Sequence, residues 1–139
     1  KSGLELTDLA GETFVLREPG SGTRGLMEQL FENARVRPKI GMSMSSNETI
    51  KQAVIAGLGI AFISAHTVAT ELDERRLVAL DVAGLPVLRQ WFALSRKDKI
   101  LLPPARAMLD FLAARGAQFL PKTHGRVRII RPSARNKRA

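Results

Sequence analysis

Short apolar runs alternate with amphipathic windows along most of this chain, and that alternation restricts the fold more than any other feature. Thr13-Phe14-Val15-Leu16 reads as a buried strand, extended to 13–17, after which Pro19, Gly20 and Gly22 force a turn. From Leu26 the apolar residues Leu26, Met27, Leu30, Phe31 and Ala34 follow helical spacing, which predicts a helix over 22–34. Arg37-Pro38 separates it from a strand over 39–44. Ser45 and Glu48 then have the spacing of a capping box, and the next helix carries Ile50, Ala53, Val54 and Leu58 on one face, with Ile55 beside them. Gly57 and Gly59 stop it before Ile60-Ala61-Phe62-Ile63, a short strand.

The second half continues the pattern. Ser64 can cap a helix reaching Glu74, with Ala65, Val68, Ala69 and Leu72 inward. Leu77 to Val82 reads as a strand, and Gly84 and Pro86 mark a turn. Val87 to Arg96 is the longest strand candidate and is expected to be partly covered on both faces, with Trp91 in the core. Pro103 and Pro104 stand where the first turn of a helix tolerates proline. Ala105, Met108, Leu109 and Leu112 would form its buried stripe, with Phe111 at the edge and Gly116 as C-cap. Strands alternating with helices imply an α/β fold with a largely parallel sheet, and parallel pairing suits the continuously apolar strands.

Charge and cysteine content narrow the function. Of 22 Lys and Arg, seven (Lys122, Arg126, Arg128, Arg131, Arg135, Lys137 and Arg138) follow Pro121, where no acidic residue occurs. The rest of the chain holds 15 basic against 13 acidic residues, so the net charge of +9 belongs mostly to 122–139. That basic tail can touch nucleic acid through phosphates or serve as a disordered, solubilising terminus. With no cysteine, disulfides and thiolate metal sites are excluded. No apolar run is long enough to span a bilayer.

Two turns could carry chemistry. Ser21-Gly22-Thr23-Arg24 opens a helix after a strand, so its backbone N–H groups and the positive end of the helix dipole can receive a carboxylate or phosphate. The competing reading is a plain N-cap with glycines for turn geometry. Ser45-Ser46-Asn47-Glu48 makes a second strand-to-helix junction. In parallel α/β sheets such junctions gather on one edge, and two can converge on one ligand. Gly57-Leu58-Gly59 ends a helix, the wrong order for a dinucleotide fingerprint. His66 and His124 stand alone, and no Ser, His and Asp form a catalytic motif. An enzyme, a metal site and a cofactor are all disfavoured. Asp73-Glu74-Arg75-Arg76 reads as a solvated helix end with i,i+3 pairing.

Taken in order, these segments resemble the regulatory half of LysR-type transcriptional regulators. The matching residues are Leu6-Thr7-Asp8-Leu9-Ala10, Phe14-Val15-Leu16-Arg17-Glu18, Ser21-Gly22-Thr23-Arg24, Ser45 to Val54, Gly57 to Ser64, Trp91-Phe92-Ala93-Leu94 and Phe111-Leu112. They cover nearly all of residues 4–121. Overall similarity and the basic extension point to the subgroup that regulates Calvin-cycle operons, including RuBisCO genes.

The resemblance implies a bilobed effector-binding domain like type 2 periplasmic binding proteins, with the ligand between the lobes. It implies the end of a first-lobe segment at 1–11, the second lobe at 12–88, and a hinge-crossing strand and final first-lobe helix at 89–121. The tail follows at 122–139. Ser21, Gly22, Thr23 and Arg24 match the family's cleft-lining turn, and Ser45, Ser46 and Asn47 fall at the second junction. The implied ligand is a small anionic effector, a phosphorylated metabolite or NADPH. The implied protein is a cytoplasmic, homo-oligomeric activator that meets promoter DNA through an N-terminal helix-turn-helix absent from this chain. A solute-binding protein of the same fold is the second reading, and an enzyme on a similar bilobed scaffold a distant third.

Overall fold

A computed structural model describes residues 3–120. They divide at Pro86 and Val87 into two compact units.

The first unit is built on one parallel strand pair. β1 (Thr13–Arg17) leads through a turn to α1 (Gly22–Asn33), then to β2 (Lys39–Met44) and α2 (Asn47–Ile55). All four elements lie where the periodicity places them. Successive β1 side chains point to opposite sides. Phe14 and Leu16 pack with Met27 and Phe31 of α1, together with Leu9 and Val82. Val15 packs on the other face with Ile50 and Ala53 of α2. A helix on each face explains why β1 is apolar without alternation. The rings of Phe14 and Phe31 meet edge to face, 5.3 Å between centroids. Leu16, Met27, Ile50 and Val15 are fully buried, a gain of about 1.5–3 kcal/mol for each.

Glycine sets two close approaches. The ladder slips by one residue between Phe14 and Val15, leaving Gly41 as the extra residue of β2, where a Cβ would strike the Thr13 methyl. Gly59 has φ +154°, and a Cβ there would strike the Thr13 carbonyl oxygen. It lets Ile60 reach β1: Ile60 N donates to Thr13 O at 2.9 Å, and Val15 N donates to Ile60 O at 2.8 Å.

Ile60 therefore lies on the β1 edge opposite β2, also in parallel. The chain steps from β1 to β2 over one face, then returns past β1 over the other. Strand order thus reverses across β1. In open α/β sheets, ligands bind outside the carboxyl ends of strands at such a reversal. The largely parallel α/β reading holds.

Other expectations need correction. Ile60 to Ile63 makes one bridge rather than a strand, and 77–82 contributes only the bridge of Val82 to Leu4. The helix expected from Ser64 to Glu74 is a 3-10 turn, Ala65–Val68, followed by the short α3 (Ala69–Asp73). Of its inward set only Val68 is buried; Glu71 is buried as well. Leu58 is half exposed, because α2 ends at Ile55 and Leu58 belongs to the turn. Within Asp73 to Arg76, Arg76 Nε pairs with Glu74 Oε2 at 2.7 Å, and Asp73 has an interaction of its own, so the charged helix end is paired.

The second unit contains α4 (Pro103–Arg115), with proline in its first turn as expected, followed by a 3-10 turn, Gly116–Phe119. Val87 to Arg96 forms no strand and joins no ladder among the described residues. Trp91 is 80% exposed, so it is not core. The expected stripe of α4 is open too: Met108, Phe111 and Leu112 are exposed, and no residue of the helix is buried. The basic tail at 122–139 lies outside the described residues.

Candidate functional site

The two strand-to-helix junctions are neighbours because β1 and β2 run parallel with Arg17 opposite Met44. Glu18 N donates to Met44 O at 3.1 Å, so the pairing carries one residue past β1. Both helices then begin at the same sheet edge.

At the first junction Ser21 is the N-cap residue of α1 and has extended backbone angles, yet its side chain makes no cap hydrogen bond. Gly25 N donates to Ser21 O, the first bond of the helix. The N–H groups of Gly22, Thr23 and Arg24 have no acceptor among the described residues. Gly22 is exposed, and Ser21 and Thr23 are partly so.

At the second junction the cap is Ser46, one residue later than the capping-box spacing suggests. Its Oγ accepts from Thr49 N at 3.4 Å, and Glu48 instead pairs with Lys51 at 2.7 Å. Ser46 rather than Ser45 precedes the first helical residue, which puts its hydroxyl over the third helical N–H. The N–H groups of Asn47 and Glu48 have no acceptor among the described residues. Five free amides thus lie at two adjacent helix starts, each with a positive dipole end.

Side chains bind the junctions together. Arg17 Nε and Nη2 donate to the two carboxylate oxygens of Glu18 at 2.8 and 2.9 Å. Its Nη1 donates to Asn47 Oδ1 at 2.8 Å, across 30 residues of sequence. Hydrogen bonding to Glu18 holds the guanidinium above its usual pKa, and the same contact holds the Glu18 carboxyl below its usual range. The pair stays ionised. Arg24 is committed elsewhere: Nε donates to Glu28 at 2.7 Å, and Nη1 to Arg17 O and Ser43 Oγ, each at 3.2 Å.

The structure therefore brings Ser21, Gly22, Thr23 and Arg24 to the same edge as Ser45, Ser46 and Asn47. Arg17 and Glu18 open the turn at 17–24 that the sequence singles out but carry no role there, and Ser43 goes unmarked; the three hold the junctions in place. An arginine closing a strand and facing the start of a later helix is a usable signal once parallel pairing is assumed. Among the described residues no three His, Cys, Asp or Glu side chains form a metal cluster. The arrangement suits anion recognition by neutral N–H groups and hydroxyls.

A family profile for the LysR substrate binding domain matches residues 1–117. The chain belongs to this family. Among its relatives, the HTH-type transcriptional regulator CbbR of Xanthobacter flavus is 58% identical over 119 residues, covering 85% of this chain and 36% of that protein. The RuBisCO operon transcriptional regulator of Allochromatium vinosum is 47% identical over 115 residues, covering 83% of this chain and 38% of that protein. The regulatory domain of Synechocystis PCC6803 CcmR, solved in complex with 2-PG, superposes with a TM-score of 0.77 at 37% identity. That match covers 82% of this LysR domain chain and 55% of the other.

These relatives are transcriptional regulators, neither enzymes nor transport proteins, so the solute-binding reading gains no support. The LysR domain chain spans a little over a third of the length of the curated relatives it matches. No helix among its described residues is long and apolar enough to cross a membrane.

Proposed function

We propose that this LysR domain is one wall of an effector cleft in a regulator of carbon-fixation genes, and that its ligand is a small anion. The observation that carries this reading is the pairing of two helix starts at one sheet edge, with five N–H groups that have no acceptor among the described residues and Arg17 tied to Asn47. Ser21, Gly22, Thr23 and Arg24 form one half of that wall, and Ser45, Ser46 and Asn47 the other. The second lobe is assigned to 12–88, with the opposite wall supplied by a first lobe. The parent protein is read as a cytoplasmic homo-oligomer that reaches promoter DNA through a helix-turn-helix.

Phosphorylated metabolites and NADPH both suit amide and hydroxyl donors. The relative solved with 2-PG (2-phosphoglycolate) favours the first. An effector acts on the promoter complex only through its difference in affinity for the open and closed forms. Ser21→Ala and Thr23→Ala in the full-length protein therefore weaken the response to 2-phosphoglycolate, each by about tenfold for one lost hydrogen bond. Operator affinity without effector stays near that of the unmodified protein. Equal loss of both in a well-folded variant would defeat this reading.

A further inference from the structure

We infer that Arg17 is a positioning residue, which fixes the separation of the two amide clusters and so decides whether one anion can use both. The inference rests on the cleft reading above. It starts from how the guanidinium is held: three of its N–H groups go to two partners, Glu18 and Asn47. Glu18 takes the Nε and Nη2 edge in a two-pronged pair, leaving Nη1 to point at Asn47, the first residue of α2. Arg17 closes β1, whose next residues turn into α1, so one side chain spans from the end of one strand to the start of the other strand's helix. The pair is only partly exposed, at 21% for the Arg17 side chain. Its carbonyl is gripped as well, accepting from Arg24 Nη1 and from Ser43 Oγ, each at 3.2 Å.

Such a cross-link matters to binding more than to folding. The strands already fix the sheet, whereas the pitch of α2 against the α1 turn depends on what joins their first residues. Holding both clusters in the binding geometry before the ligand arrives removes an ordering cost from association. Only the planar, forked guanidinium can satisfy Glu18 and Asn47 together; a lysine keeps the charge but offers a single point. Arg17→Lys thus separates position from charge.

The test is a titration of the full chain with 2-phosphoglycolate, followed by backbone amide signals. In the unmodified protein the ligand shifts the Gly22 to Arg24 amides and the Asn47 and Glu48 amides together. In Arg17→Lys the first group still shifts, the second does not, and affinity falls about tenfold, as for one lost charge-assisted hydrogen bond. Asn47→Ala, which leaves the Arg17 and Glu18 pair in place, gives the same split pattern. The double variant is no weaker than either single one, as two halves of one contact require. Arg17→Lys with unchanged affinity and both groups shifting overturns the inference while leaving the cleft intact. A stability loss with both groups weakened alike also overturns it, since that marks a structural role. No shift at either group in the unmodified protein overturns the cleft itself, and this inference with it.

Discussion

Glu71 is the one buried charged side chain among the described residues, and its Oε2 has no hydrogen-bond partner there. Its other oxygen accepts from Lys51 Nζ at 2.8 Å, while Lys51 also meets Glu48 at 2.7 Å and Arg76 stands off at 3.8 Å. The hydrogen bond from Lys51 is the main cause holding the Glu71 carboxyl below its ordinary value of 4.5, and burial opposes it. A carboxyl with a lowered folded pKa adds stability above pH 4.5 and loses it as pH falls through the lowered value. Lys51→Met strands a carboxylate with little but the distant Arg76, so the variant is less stable than the native chain at neutral pH. Its deficit shrinks on acidification, because protonated Glu71 no longer needs the ammonium. Urea midpoints measured at neutral pH and below pH 4.5 test this. A deficit that stays constant across that range means Lys51 contributes packing rather than charge.

Elements built from local periodicity were legible in the sequence; those that depend on a distant neighbour were not. The helical spacing of Leu26, Met27, Leu30 and Phe31 marks α1 correctly, and Pro103 and Pro104 mark the start of α4. Ile60 to Ile63 and Leu77 to Val82 have strand composition, yet each makes one bridge, since a ladder needs a partner over several residues. The same limit applies to the site. The turns at 21–24 and 45–47 were visible as turns, while the bond from Arg17 to Asn47 exists only through the parallel register. The cap of α2 offers a direct check. Ser46→Ala removes the acceptor for Thr49 N and lowers stability by about 1 kcal/mol, whereas Ser45→Ala, with an exposed hydroxyl, costs less than about 0.5 kcal/mol. Denaturant unfolding of the two variants ranks them, and the reverse ranking restores Ser45 as the cap.

The two units differ in how their apolar residues are used. In the first, β1 is covered on both faces and the junctions stand on a packed base. In the second, Trp91, Phe92, Leu94, Ile100 and Leu102 are each more than 70% exposed within a dozen residues of sequence. Apolar exposure on this scale is characteristic of interaction surfaces. The cleft reading assigns the stretch to a hinge-crossing strand, whose neighbours would come from the other lobe. Trp91 is the single tryptophan of the chain, so its fluorescence reports on that stretch alone. With this chain by itself the emission is that of an indole in water and is quenched freely by acrylamide. In the full-length regulator, with any other tryptophan replaced by phenylalanine, the cleft reading requires that emission to shift to the blue and quenching to fall. The decisive comparison is between the two proteins at several concentrations. A blue-shifted, protected signal from this chain alone that disappears on dilution identifies a second copy as the cover and removes the assignment of 89–96 to a crossing strand. A signal that stays water-like in the full-length protein removes it as well, since the cleft reading has the first lobe cover the face that carries Trp91.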